Sequence, residues 1–196
     1  MPTPPAHPSA SGSPAADGAI CGQCSREPPA FAAALIPFRY AAPLDHLIHR
    51  FKHRGDLAAG HVLGHLLVRH VANVLRARPD VIAPVPLHWR RSTWRGFNQA
   101  VELGSELARS LALPWDSRLV ARSQPTPPQQ QLGRGARRRN LRGAFVVQSK
   151  VAGLSIALVD DVMTTGATAH SIATCLRQAG AAEVQVWALA RTPLAK

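Results

Sequence analysis

The sequence has little cysteine, little lysine and little acid. Cysteine occurs 3 times in 196 residues, an odd and small number that excludes a disulfide framework and points to a reducing compartment. Any cysteine function would be metal or redox. Asp and Glu total 11 against 23 Lys and Arg, a net charge of +12. Such an imbalance points to an anionic partner, because neutralising phosphates is its commonest use. Arginine supplies nearly all of the basic residues, as codon bias in a GC-rich genome would produce. That bias accounts for Arg over Lys but not for the shortage of acids. Long apolar runs are missing too: the longest, residues 31–38, is broken by Pro37, far short of the roughly 20 residues that cross a bilayer. The amino-terminal segment lacks the basic start and apolar stretch of a secretory signal. A soluble, cytoplasmic protein with no membrane insertion is expected. Two common nucleotide loops are absent: there is no GxGxxG, and no GxxxxGK followed by Ser or Thr.

What is present reads as one main domain, since the length suits a single sizeable core and not two catalytic domains. Residues 1–18 are rich in Pro, Ala, Ser and Gly and read as a disordered lead-in, so the organisation expected is a lead-in over 1–30 and a folded domain over 31–196. Apolar residues at 44, 47, 48 and 51 repeat as one buried helical face, predicting a short helix over 43–53 that ends before Gly55. Val62, Leu63, Leu66, Leu67, Val71 and Val74 predict the longest helix, over 57–77. Residues 80–87 read as a buried strand stopped by Pro84 and Pro86. Asn98 can cap a helix with the stripe Ala100, Leu103, Leu107, Ala108 and Leu111. Residues 119–121 are a weak strand. Residues 122–143 are polar and carry several Pro and Gly breakers, and a loop of that length usually has a function. Residues 144–147 read as a β-arm, 155–160 (SIALVD) as a buried strand, 172–179 as a helix stopped by Gly180, and 184–190 as a final strand. Strand and helix alternate, which implies an α/β fold with a mostly parallel sheet flanked by helices.

The chemistry gathers after SIALVD. Ligands of parallel α/β sheets bind beyond the carboxyl ends of the strands, and Val159, Asp160 and Asp161 are placed at such an end. Thr164, Thr165, Gly166, Ala167 and Thr168 then lie at the mouth of a helix, where unpaired N–H groups and the positive dipole end attract an anion. Gly166 permits close backbone approach and the threonine hydroxyls add donors. Two carboxylates that can accept from a diol, followed by a phosphate cradle, fit a ribose 5-phosphate; a bare phosphate would not need the carboxylates. A mere polar turn with good capping residues is the plainer reading. An apolar strand, two acids and TTGAT in succession weigh against it.

IALVDDVMTTGAT closely resembles the phosphoribosyl-pyrophosphate (PRPP) motif of type I phosphoribosyltransferases. PVPLHWRRSTWRGFNQA (84–100), TPPQQQL (126–132), RRRNLRGAF (137–145) and the closing VWALART resemble, in order and spacing, the ComF/GntX competence-protein family. The resemblance covers most of residues 35–192. It implies that Asp160 and Asp161 hold the ribose hydroxyls and that Met163, Thr164, Thr165, Gly166, Ala167 and Thr168 hold the 5-phosphate, with Val162 positioning the turn. It places the pyrophosphate near Pro84, Pro86, Leu87 and His88, with Arg95 and Asn98 of RGFNQ beside it; a guanidinium suits diphosphate oxygens because it forks onto two of them. Arg137 and Asn140 match an R-x-x-N in a loop, about 122–145, that is a mobile flap in phosphoribosyltransferases. Arg95 and Arg137 are the candidate catalytic residues. Mg²⁺ is implied, arriving with the substrate because diphosphate and ribose oxygens offer it hard ligands.

Relatives of that family begin with several CxxC pairs that form a zinc finger, whereas this chain has one, Cys21 and Cys24. A closed zinc site needs four ligands, so zinc is not expected, and Cys175 reads as a small core residue. His61 and His65 could share a helical face but lack the Glu of HExxH, and read as plain surface. Three functions stay open. The resemblance implies a PRPP-binding protein of DNA uptake, with single-stranded DNA and a competence DNA translocase as partners. A nucleobase salvage phosphoribosyltransferase would need a base-reading hood, and no such segment is recognisable. A DNA-binding module with an inactive PRPP site is motivated by the charge and by Arg134, Arg137, Arg138, Arg139 and Arg142.

Overall fold

The computed structural model describes residues 22–87, 97–123 and 143–193. His88, Arg95, Arg137, Asn140 and Cys21 lie outside the described residues, as do Trp89, Trp94 and most of the segment read as a flap.

The sheet is wholly parallel. Its four principal strands are β1 (Ala33–Leu35), β7 (Glu183–Arg191), β6 (Ser155–Met163) and β3 (Val81–Pro84), in that spatial order, and β2 (Phe38–Arg39) runs on beside β7 beyond β1. Pro37 separates β1 from β2, as a residue without an N–H must. The interior strands are apolar on both faces because both are covered. Along β6, Ile156 and Leu158 face one core cluster and Ala157 and Val159 the other, the two-residue alternation of an extended chain.

Helices α2 (Leu44–Arg54), α3 (Leu57–Val74) and α4 (Gln99–Leu111) cover the second face, through Ile48, Phe51, Leu63, Leu67, Leu103 and Leu107. Gly55 ends α2 at φ 63°, the left-handed conformation that suits a helix end. Asp56 then caps α3 by accepting from the Ala59 N–H at 3.0 Å. Asn98 caps α4, accepting from Ala100 N–H at 3.0 Å, and its amide also donates to the Val85 carbonyl at 3.3 Å. The first face is covered by α5 (Ala167–Gln178) and by the antiparallel pair β4 (Val120–Arg122) and β5 (Phe145–Val147).

Several elements depart from their sequence pattern. Helix α3 stops at Val74, three residues before the expected end at Ala77: Leu75 is already extended, and Gln185 Nε2 donates to the Ala77 carbonyl at 3.1 Å. Val62 belongs to the apolar stripe by spacing yet is 52% exposed. The buried face instead runs through Ala59, Gly60 and Gly64, whose small size admits neighbours; a Cβ at Gly60 would lie 2.5 Å from the Phe51 ring. Strand β6 is longer than expected, running through Met163, because β7 keeps pairing with it as far as Arg191. Strands β1 and β2 have no counterpart in the sequence pattern. Within the segment read as a lead-in, Gly22–Arg26 forms a short helix, α1, and the Ala30 N–H donates to His170 Nδ1 on α5 at 3.1 Å.

Candidate functional site

Strand β6 delivers both acids to the carboxyl edge of the sheet. Because the strand extends to Met163, Asp160 and Asp161 stand on it and not beyond it: Asp160 is in register with Ala188 of β7. Here each carboxylate takes up a neighbouring backbone donor, and the two carboxylates interact with each other. Asp160 Oδ1 accepts from the Asp161 N–H at 2.9 Å, and Asp161 Oδ1 accepts from the Val162 N–H at 2.6 Å. Asp161 is 8% exposed. Asp160 is half-buried, and burial, followed by the nearby Asp161 carboxylate, raises its carboxyl to about 7, with Lys52 opposing.

The anion cradle follows at once. Gly166 has φ 75° and opens α5 without a cap of its own, so first-turn N–H groups beyond that of Ala167 are left for a ligand. Thr165 Oγ1 accepts from the Ala167 N–H at 3.3 Å and shapes the turn. Thr164 is exposed, Thr165, Gly166 and Thr168 are half-buried, and Met163 and Ala167 are buried. A Cβ on Gly166 would lie 3.1 Å from the Met163 methyl, so Met163 packs against the turn. A cleft of about 50 Å³ opens beside the turn, bordered by Met163, Thr165, Gly166, His170 and Arg191.

On the other side of the acids, the end of β3 leads into Val85, Pro86 and Leu87. Asn98 pins this segment by its bond to the Val85 carbonyl. Its side chain is thus engaged in cap and tether, a positioning part. Gln99, the next residue, is 1% exposed; its Nε2 donates to the Lys52 carbonyl at 3.4 Å while its Oε1 is buried with no partner among the described residues.

Two cations that the motifs do not single out stand at the site. Lys52, near the end of α2, places Nζ 2.7 Å from Asp161 Oδ2. Arg191, at the end of β7, borders the cleft beside the turn. Lys52 carries one sequence signal: it is among the few lysines of an arginine-rich chain. Arg191 lies in the VWALART segment, where spacing alone gives it no role. The remaining candidates are elsewhere. Cys175 Sγ donates to the Phe145 carbonyl at 3.4 Å, and burial pushes its thiol up, as in a packing residue. Exposed His61 stands 3.4 Å from Glu106. Among the described residues, no group of three or more His, Cys, Asp or Glu is placed to hold a metal, and no helix is long and apolar enough to cross a membrane.

No family model matches the chain. Among curated proteins it is 41% identical over 189 residues to the DNA utilization protein YhgH of Salmonella typhimurium, a match covering 92% of this chain and 82% of that protein. It is 38% identical over 178 residues to competence protein F of Haemophilus influenzae, covering 87% of this chain and 78% of that one. Among solved structures, an adenine phosphoribosyltransferase from Leishmania donovani aligns over 78% of this chain and 68% of its own, with a TM-score of 0.45 and 15% identity.

Proposed function

The chain belongs to the family of DNA utilization protein YhgH and competence protein F, and on that premise we propose that it binds PRPP at the β6–α5 turn and serves DNA uptake or use. One observation carries the reading: a pair of acids on β6 is followed within five residues by a helix mouth with no side-chain cap. The acids suit the ribose hydroxyls, which donate, and the turn suits the 5-phosphate, which accepts. Pro86 and Leu87 would border the diphosphate, with His88 and Arg95 contributed from the neighbouring segment and Arg137 from the flap.

Mg²⁺ fits this donor set as an ion that brings most of its ligands with it. The described residues offer it the carboxylates of Asp160 and Asp161 and no fuller cage, which suits a cation that keeps its waters and binds substrate phosphates. When bound it would neutralise the diphosphate. The protein's own part is to orient the ribose through the acids, hold the 5-phosphate at the α5 amides and position Val85 through Asn98. Turnover would need an acceptor. A salvage role requires pyrophosphate release when nucleobases are supplied with PRPP, and the family reading expects none. Single-stranded DNA and a DNA translocase are the proposed partners, with a cytoplasmic location.

Calorimetric titration with Mg·PRPP, ribose 5-phosphate and pyrophosphate tests the assignment. PRPP should bind most tightly because it alone engages acids, turn and diphosphate segment together. Pyrophosphate binding as tightly as PRPP would contradict the ribose role of Asp160 and Asp161.

A further inference from the structure

Two adjacent carboxylates at the edge of a packed sheet need a counter-charge whenever no ligand is present, since an uncompensated buried charge is costly. Lys52 supplies it. Its ammonium lies 2.7 Å from Asp161 Oδ2, with side-chain exposures of 26% and 11%, so the pair is shielded where surface ion pairs are not. The lysine is also firmly presented. Phe51, the preceding residue, is 1% exposed and packs on Phe97 with ring centroids 5.6 Å apart, and the Lys52 carbonyl accepts from buried Gln99.

The residue type adds an independent argument. Lys52, Lys150 and Lys196 are the only lysines in the sequence, against many arginines. An arginine would fork across both oxygens of a carboxylate, whereas an ammonium is a compact point charge that rests on one oxygen and leaves readily.

We infer that Lys52 is a positioning residue that holds Asp161 in place and keeps a bare divalent cation off the acidic pair until a diphosphate-bearing ligand brings its own. The regulatory consequence rests on the PRPP reading above: metal loads as the metal–diphosphate complex and not ahead of it. Displaced from Asp161, the ammonium is then within reach of the incoming anion.

Titration with Mn²⁺ alone, followed by electron paramagnetic resonance, tests this without PRPP. The wild-type chain should bind Mn²⁺ weakly, and Lys52→Met should bind it about tenfold more tightly or better. Adding Asp161→Asn to Lys52→Met should remove the gain, and Lys52→Arg should keep Mn²⁺ out, because exclusion follows the charge. Equal Mn²⁺ affinity in wild type and Lys52→Met would overturn the inference. Should Lys52→Met fail to fold, ¹⁵N NMR of the wild-type lysine ammonium groups decides: one hydrogen-bonded resonance, lost in Lys52→Arg, is expected, and its absence would overturn the inference equally. A Mn²⁺ gain in a chain that does not bind PRPP would uphold Lys52 and sink the proposed function alone.

Discussion

Asp160 shows how the site sets function against stability. Its carboxyl is raised from 3.8 to about 7, by burial first and by Asp161 second, so between these values the folded chain holds a proton that the unfolded chain has lost. The contribution to stability is therefore full below the unfolded value and is lost as pH rises through about 7. Asp160→Asn should then stabilise the protein at pH 8, by about 1–3 kcal/mol, and flatten the fall of Tm between pH 5 and 8. A wild-type Tm that rises with pH over that range would contradict this. Ligand binding near pH 6.5 should release protons, seen as a binding heat that varies with the ionisation enthalpy of the buffer. Gly166 is the second single residue on which much depends. Its φ is 75°, and the Met163 methyl lies 3.1 Å from where a Cβ would stand, so Gly166→Val should cost about 2–3 kcal/mol in urea denaturation. It should also weaken PRPP binding through the displaced α5 amides.

At the scale of elements, the site depends on how α2 is seated. Phe51→Ala should cost about 3–5 kcal/mol by chemical denaturation, and because Phe51 anchors the turn that bears Lys52, Mn²⁺ exclusion should weaken with it. Full stability in this variant would mean that α2 is not held by its aromatic anchor. The same helix shows what can be read from sequence. Its apolar spacing and the glycine after it define α2 to within one residue, since burial of one face and a left-handed stop are both local signals. The acids and the TTGAT turn are legible for the same reason, being contiguous. Val62 misleads because spacing cannot distinguish a wide stripe from one narrowed by Gly60 and Gly64, where neighbours approach the backbone. Strands β1 and β2 escape sequence reading because they are three and two residues long, below the length at which alternation is visible, and form only by pairing with β7. Lys52 escapes it because its partner, Asp161, is more than 100 residues away in the chain, and no local pattern signals a pairing that only the fold creates.

The whole molecule is strongly basic, +12 over 196 residues, and its named relatives concern DNA utilisation and competence. A nucleic-acid role predicts single-stranded DNA affinity that collapses with salt. Replacing Arg137, Arg138 and Arg139 by Ala should lower the slope of log affinity against log salt by about 2, near 0.7 for each phosphate no longer neutralised. Affinity indifferent to salt would remove that role. The parallel sheet, covered on both faces, matters here as a rigid support that carries the acids, the helix mouth and Lys52 to one edge. PRPP recognition at that edge is the central claim, and calorimetry of Mg·PRPP with wild type and with Asp160→Asn/Asp161→Asn tests it most directly. Binding by the wild type and its abolition in the folded double variant is the predicted result; the same heats in both proteins would contradict it.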